Sequence, residues 1–441
     1  MNLDGYQDGA AATDALDQHG DDPLVALLGL GAHVGDLLNA HKQYLRSSLD
    51  LTAATDLISH ELGAVLWYLC AVARRHELKL SDIAVTNLRK TRERAAARGV
   101  ALPALPDDVV DFDTYQDEAQ RTDEHIDNAD VSSVTVPLLG LIGEAGSLLN
   151  AQKKHYTDKL LTSRDRGFIR IELGDMLWYL AAAASHCHLR LADIAAANLR
   201  HTRRFNPAAA DAPLPPDLPR LDAENRVQER FPRRLVVRFM PLRNIPGEPH
   251  RVQMQLVGAD PNDFPDGPVA LASDPPVDPP QKYQGYVVGD SLGDPLTDNS
   301  TVVDGYRFHD AIHLGFLAVL GWSATTRALL RVKRRSRPAI DEAEDGARAI
   351  FAEEGIAAVL AKRALAHGGF VSESGIDGDT LEMVTTVLEH LEVAAYDPWI
   401  WRRAIAQGFT LMQHLAENRG SGYAIVDLDQ RRVTYSRTPP A

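Results

Sequence analysis

LLGLGAHVGDLLNAHKQYL at residues 27–45 and LLGLIGEAGSLLNAQKKHY at residues 138–156 are one segment written twice, 111 residues apart. The offset persists downstream. Residues 61–92 begin ELGAVLWYLCAVA and end DIAVTNLRKTR; residues 172–203 begin ELGDMLWYLAAAA and end DIAAANLRHTR. Over these 51 paired positions 29 are identical with no gap, so loop lengths repeat as well as side chains. Shorter leading segments, LDGYQD at 3–8 and FDTYQDEAQRT at 112–122, pair at an offset of 109. Such self-similarity marks one supersecondary unit made twice.

Each copy reads as helix. Leu138, Leu141, Ala145, Leu148, Leu149 and Gln152 recur at i, i+3, i+4 and i+7, as do Leu173, Leu177, Leu180 and Ala184. A further helix over about 190–204 carries Leu191, Ile194 and Leu199. With the YQD segment this predicts four helices per copy and an antiparallel bundle. The domains expected are 1–100 and 110–206, a Pro- and Asp-rich linker over 207–232, and a C-terminal domain over 233–441. In that last domain RRLVVRFMP (233–241) and RVQMQLV (251–257) read as short strands, and 260–300 as irregular chain. Helical patterning returns at about 306–332, 340–367, 379–391 and 399–418, and YAIVDLDQRRVTY reads as a terminal hairpin. The fold class predicted is mainly α: tandem four-helix bundles plus a C-terminal α+β domain.

Composition narrows the function. The 441 residues carry 61 acidic against 46 basic side chains, a net charge of −15. That disfavours binding to nucleic acid or an anionic membrane, both of which need positive surface. Cys70 and Cys187 are too few for a disulfide framework, so a cytoplasmic setting is expected. MNLDGYQDG has neither the basic start nor the apolar core of a signal peptide, and the longest apolar stretch noted, 176–184, is too short to span a bilayer.

The chemistry-bearing residues of the second copy are acids. Glu144 lies on one helix and Glu172 on the next, with Asp175 three residues on and so on the same face. Carboxylates gathered among Leu and Trp repel one another and are costly to desolvate, unless divalent cations neutralise them. Hard oxygen ligands suit Mg²⁺ or Mn²⁺. Lys153, Asn198, Arg200 and Arg204 lie at helix ends within plausible reach of phosphate oxygens.

GLIGEAGSLLNAQKK followed by IELGDMLWYL and NLRHTRRF resembles the MazG-like all-α nucleoside triphosphate pyrophosphohydrolases. Their pattern is E-x-x-E, then E-x-x-D, then N-x-x-K. Carried over, the resemblance makes Glu144, Glu172 and Asp175 metal ligands and catalytic residues, and Asn198 the family Asn. Ser147 stands where the second Glu belongs and His201 where the Lys belongs. In the first copy His33 replaces the first Glu and Ala64 the final Asp, while Asp36, Glu61, Asn87 and Lys90 remain. Asp36 and Glu61 are thus a second, poorer set of metal ligands, and a composite site sharing Asp36 is a minor alternative. Because the family works as a dimer of bundles, the tandem reads as an internal pseudo-dimer, with further homodimerisation open.

A second constellation lies in the C-terminal half. YRFHDAIHLGF (306–316) places His309 and His313 one turn apart beside Asp310. IDEAEDGARA (340–349) places Glu342 and Asp345 on one face, with Glu353 and Glu354 beyond. His309, His313, Glu342 and Asp345 form a candidate metal set, and Lys333 and Arg334 of the basic run RVKRRSR (331–337) candidate phosphate contacts. The segment from GDSLGDPLTDN to the tail resembles the C-terminal domain appended to some MazG-like proteins, which implies placement and no activity. Hydrolysis of a nucleoside triphosphate to monophosphate and pyrophosphate is the function expected. The alternatives are a nucleotide sensor without turnover, and an activity housed in the C-terminal domain.

Overall fold

The computed structural model describes residues 1–440 except 15–22, 107–110, 125, 127–132, 159–162, 207–213, 216–217 and 260–284. The chain divides into two compact units, Met1–Ala212 and Pro213–Ala441.

The first unit holds both repeats, four helices each. These are α1 (Leu3–Ala11), α2 (Leu24–Leu45), α3 (Leu51–Arg75) and α4 (Leu80–Ala97), then α5 (Phe112–Gln120), α6 (Thr135–Asp158), α7 (Ser163–His186) and α8 (Leu191–Phe205). Helix starts carry their expected caps: Asn2, Asp50 and Asp111 each accept from the backbone N–H three residues on, at 2.8–2.9 Å. In each repeat the second and third helices form a hairpin, and α2 lies against α6 at the centre. The last helices are exchanged: α4 packs on α7, and α8 on α3.

The YQD segment makes that exchange. Gln7 accepts from the Leu80 N–H and donates to the Leu78 carbonyl, both at 2.9 Å, so it caps its own repeat's fourth helix. Gln116 does the same for Leu191 and Leu189. The neighbouring tyrosines reach the other repeat: Tyr6 donates to Asn198 at 2.8 Å and Tyr115 to Asn87 at 3.0 Å. Gly63 and Gly174 admit those asparagines, since a Cβ on either would stand 3.0 Å from the opposing Asn Cβ.

By length and composition α2 and α3 are apolar enough to cross a membrane, each with a mean hydropathy of 1.2, which the reading built on 176–184 overlooked. Leu30, Val34, Leu37, Leu62, Leu66 and Leu69 on these helices are buried in the bundle core. Trp67 and Trp178 sit against that core and donate to Thr13 and Thr122.

The second unit is built on an antiparallel sheet in the order β3-β2-β1-β4-β5, formed by β1 (Arg234–Pro241), β2 (Val252–Ala259), β3 (Ser291–Leu296), β4 (Gly422–Asp427) and β5 (Arg432–Ser436). β3 falls where the sequence suggested irregular chain. It is an edge strand, where Pro295 costs no ladder bond on its open side. The first part of that stretch, 260–284, lies outside the described residues.

The helix predicted over 306–332 is two, α9 (Asp310–Leu320) and α10 (Ala324–Leu329), broken at Gly321, whose φ is 64°. α11 (Pro338–Glu344), α12 (Ala347–Ala364), α13 (Gly378–Val387) and α14 (Pro398–Glu417) follow. α9 is apolar on nearly every side and buried along its whole length, as such a helix must be. It crosses α14 with backbones in contact: a Cβ on Gly315 would lie 2.6 Å from the Ala404 carbonyl oxygen, and one on Gly408 2.8 Å from Ile312 Cα. Gly408→Ala should therefore destabilise the second unit by about 1–3 kcal/mol, read as a lower urea midpoint. An unchanged midpoint contradicts this packing.

Candidate functional site

Among the described residues the three acids of the second repeat do not converge on one point as expected: Glu144 and Glu172 neighbour each other, while Asp175 turns to the exchanged helix. Glu144 on α6 and Glu172 on α7 lie close enough for each carboxyl to act on the other. The Glu144 carboxyl is pushed up to about 7, first by burial, then by Glu172 through hydrogen bond and charge, then by Asp175, with Lys90 pulling it back. Glu172 Oε2 is buried without a hydrogen-bond partner. Nearby, the Tyr179 phenol is raised by burial and by the charges of Glu144 and Asp175, with Arg94 opposing.

Asp175 is held differently from the metal ligand expected. Asn87 Nδ2 donates to its Oδ1 at 3.0 Å, and the Lys90 ammonium contacts Oδ2. Both partners belong to α4 of the first repeat. The N-x-x-K pair beside these acids is therefore Asn87 and Lys90, not Asn198 and His201. Asn198, expected at this site, sits across α3 with Tyr6 and Gly63, and His201 meets His60 edge to face at 4.9 Å. Arg200 and Arg204 are exposed on the same displaced α8, away from the acids they were expected to serve. The helix exchange, invisible in a pattern of spacings, is the reason. Lys153 is exposed nine residues beyond Glu144, about 13 Å further along α6.

The equivalent place in the first repeat holds a hydrogen-bonded pair. His33 stands where Glu144 does, and its Nδ1 lies 2.9 Å from Glu61 Oε2 and 3.9 Å from Asp36 Oδ2. Those three groups can converge on an ion. Glu61 thus has a hydrogen-bonding imidazole beside it where Glu172 has a second carboxyl. Asp36 is largely exposed and joins His33, not the acids of the second repeat, so the composite site is not formed.

In the second unit the structure brings His309, Asp310 and His313 together. It separates them from Glu342 and Asp345. Glu342 is exposed. Asp345, fully buried, is bound by the Arg334 guanidinium at 2.6 Å and lies 3.4 Å from Arg327. Arg334 is spent on Asp345 and on Glu392 at 2.8 Å, so it is a buried structural cation and not a phosphate contact; Lys333 beside it is half-buried. Of the basic run read as phosphate contacts, Arg334 is a core cation because it pairs with Asp345 at the end of α11, whereas Arg331, Arg335 and Arg337 are exposed. The acids that do face the histidines are Glu353 and Glu354 of α12.

The sequence profile of the MazG C-terminal domain family matches residues 276–439. The Gene 37 protein of Mycobacterium phage L5 is 34% identical over 92 residues, 20% of this chain and 81% of that protein. The chain belongs to the MazG-like family. No solved structure matches it significantly. Membership accords with a mainly α protein whose C-terminal domain is α+β.

In this MazG-like protein the Glu144 carboxyl has a folded-state value above its unfolded one. Its contribution to stability is thus complete below about 4.5 and lost as pH rises through about 7. In chelator-containing buffer the wild-type thermal midpoint should fall across that interval more steeply than that of Glu144→Gln. Parallel curves would contradict the assignment.

Proposed function

We propose that the first unit hydrolyses a nucleoside triphosphate to monophosphate and pyrophosphate at the Glu144–Glu172–Asp175 cluster. The observation that carries this reading is the pair of carboxyls forced together in the bundle with one buried oxygen unpartnered. A hard divalent cation, Mg²⁺ or Mn²⁺, fits that donor set, with Glu144 and Glu172 as its holders. When bound it supplies positive charge that offsets the polyphosphate and activates water.

The chain's own residues do the rest. Lys90 is the ammonium nearest the acids. A triphosphate, with about four negative charges near neutral pH, would give it a second anionic partner. Asn87, fixed by Tyr115, keeps Asp175 oriented. Arg94, exposed beside Tyr179, is placed to meet phosphate oxygens where Arg200 and Arg204 are not. The hydrogen-bonded His33–Glu61 pair makes the first repeat's equivalent position a structural partner.

The test is a panel of NTPs and dNTPs with Mg²⁺ or Mn²⁺, resolving monophosphate plus pyrophosphate from diphosphate plus phosphate. Glu172→Gln should lower turnover by about 10²-fold or more without unfolding the bundle. Asn87→Ala should cost roughly 10- to 100-fold, as loss of a ligand-orienting contact does, while Asn198→Ala leaves the rate near wild type. Nucleotide binding with no product in any combination would instead favour a sensor. Activity insensitive to Glu172→Gln would sink the reading.

A further inference from the structure

The second unit carries a cluster that the pyrophosphohydrolase reading does not use. His309 and Asp310 open α9, His313 follows one turn later, and α12 contributes Glu353 and Glu354. His309, Asp310 and His313 are buried, His313 to 1% exposure; Glu354 is partly exposed at the rim.

The outer nitrogens fix the ring orientation. His309 Nδ1 lies 2.9 Å from the Tyr306 carbonyl oxygen, and His313 Nδ1 2.8 Å from Glu353 Oε1. Both partners are acceptors, so both Nδ1 atoms donate to them and both Nε2 atoms are turned inward, toward the position an ion would take. Glu353 is itself held, accepting from Ser323 Oγ at 2.7 Å and the Thr325 N–H at 2.8 Å. A carboxylate or carbonyl behind each imidazole is the outer shell that metal-binding histidines require.

The inner nitrogens face carboxylate oxygens on either side. His309 Nε2 lies 3.5 Å from Asp310 Oδ1 and 3.6 Å from Glu354 Oε2. His313 Nε2 lies 3.9 Å from Asp310 Oδ1 and 3.5 Å from Glu354 Oε1. Such distances are long for hydrogen bonds, and His313 Nε2, deeply buried, makes none. Two donors each about 2.1 Å from one ion at a tetrahedral angle stand roughly 3.4 Å apart, and His309, Asp310 and His313 each offer one atom within 4.8 Å of the other two.

We infer that His309, Asp310, His313 and Glu354 form a binding site for one divalent first-row transition ion of the zinc type, with Glu353 orienting His313 from behind. Two imidazoles and two carboxylates select such an ion over Mg²⁺. Glu354, at the rim, is the ligand on the solvent side, so water or a small anion reaches the ion from there.

The site is tested with Co²⁺ alone as the probe, on full-length protein carrying Glu172→Gln and stripped by chelator. One equivalent should bind with the intense visible absorption of four-coordinate Co²⁺, and Zn²⁺ should bleach it. His309→Gln should abolish the band. Glu354→Gln, at the rim and harmless to folding by circular dichroism, should shift or lose it. Glu353→Gln should weaken binding about 10- to 100-fold. No visible band, or a band unchanged in Glu354→Gln, overturns the inference: the cluster is then a protonated ion-pair network. Neither outcome bears on Glu144 and Glu172, whose assay is separate.

Discussion

Lys90 and Asn87 reach from the first repeat to Asp175 in the second, and the acidic cluster depends on that grip. Three carboxyl groups against one ammonium inside a bundle is a costly arrangement. It holds because each fourth helix has crossed to the other repeat. Tyr6 and Tyr115 secure the crossing by hydrogen bonds, and Gly63 and Gly174 make room for the asparagines. His201, the second repeat's counterpart of Lys90, lies elsewhere, against His60. The His201 imidazole, beside His60 and Arg204, is held down at about 4, chiefly by burial.

The duplication has therefore diverged in a complementary way. The second repeat keeps Glu144 and Asp175 where the first has His33 and Ala64, and the first keeps Lys90 where the second has His201. At the equivalent place in the first repeat, His33 against Glu61 satisfies locally what Glu144 against Glu172 leaves unsatisfied. Departures from the family pattern that look like loss within one repeat become a division of labour once the two are packed together.

Much of this was legible in the chain. The 111-residue offset gave the eight helices in order, since apolar spacing and caps are local properties. The acids on α6 and α7 and the His309–His313 pair on α9 were legible for the same reason. What stayed hidden depends on long-range packing. Spacing within one repeat cannot reveal that Asn198 serves the other repeat, or that YQD is a capping and crossing device. Nor can it reveal that Arg334 is buried on Asp345, because a basic run and a nearby acid look alike whether solvated or paired. Glu354 was visible as an acid but not as His309's partner, since α12 is joined to α9 only through the fold.

The central claim is a direct energetic link between α4 and α7. A double-mutant cycle on Lys90→Met and Asp175→Asn, followed by denaturant unfolding of the first unit, measures it. The account predicts non-additive effects, with a coupling of about 0.5–3 kcal/mol. Strictly additive effects would mean that the two side chains do not meet, and that the exchanged helix does not complete the site.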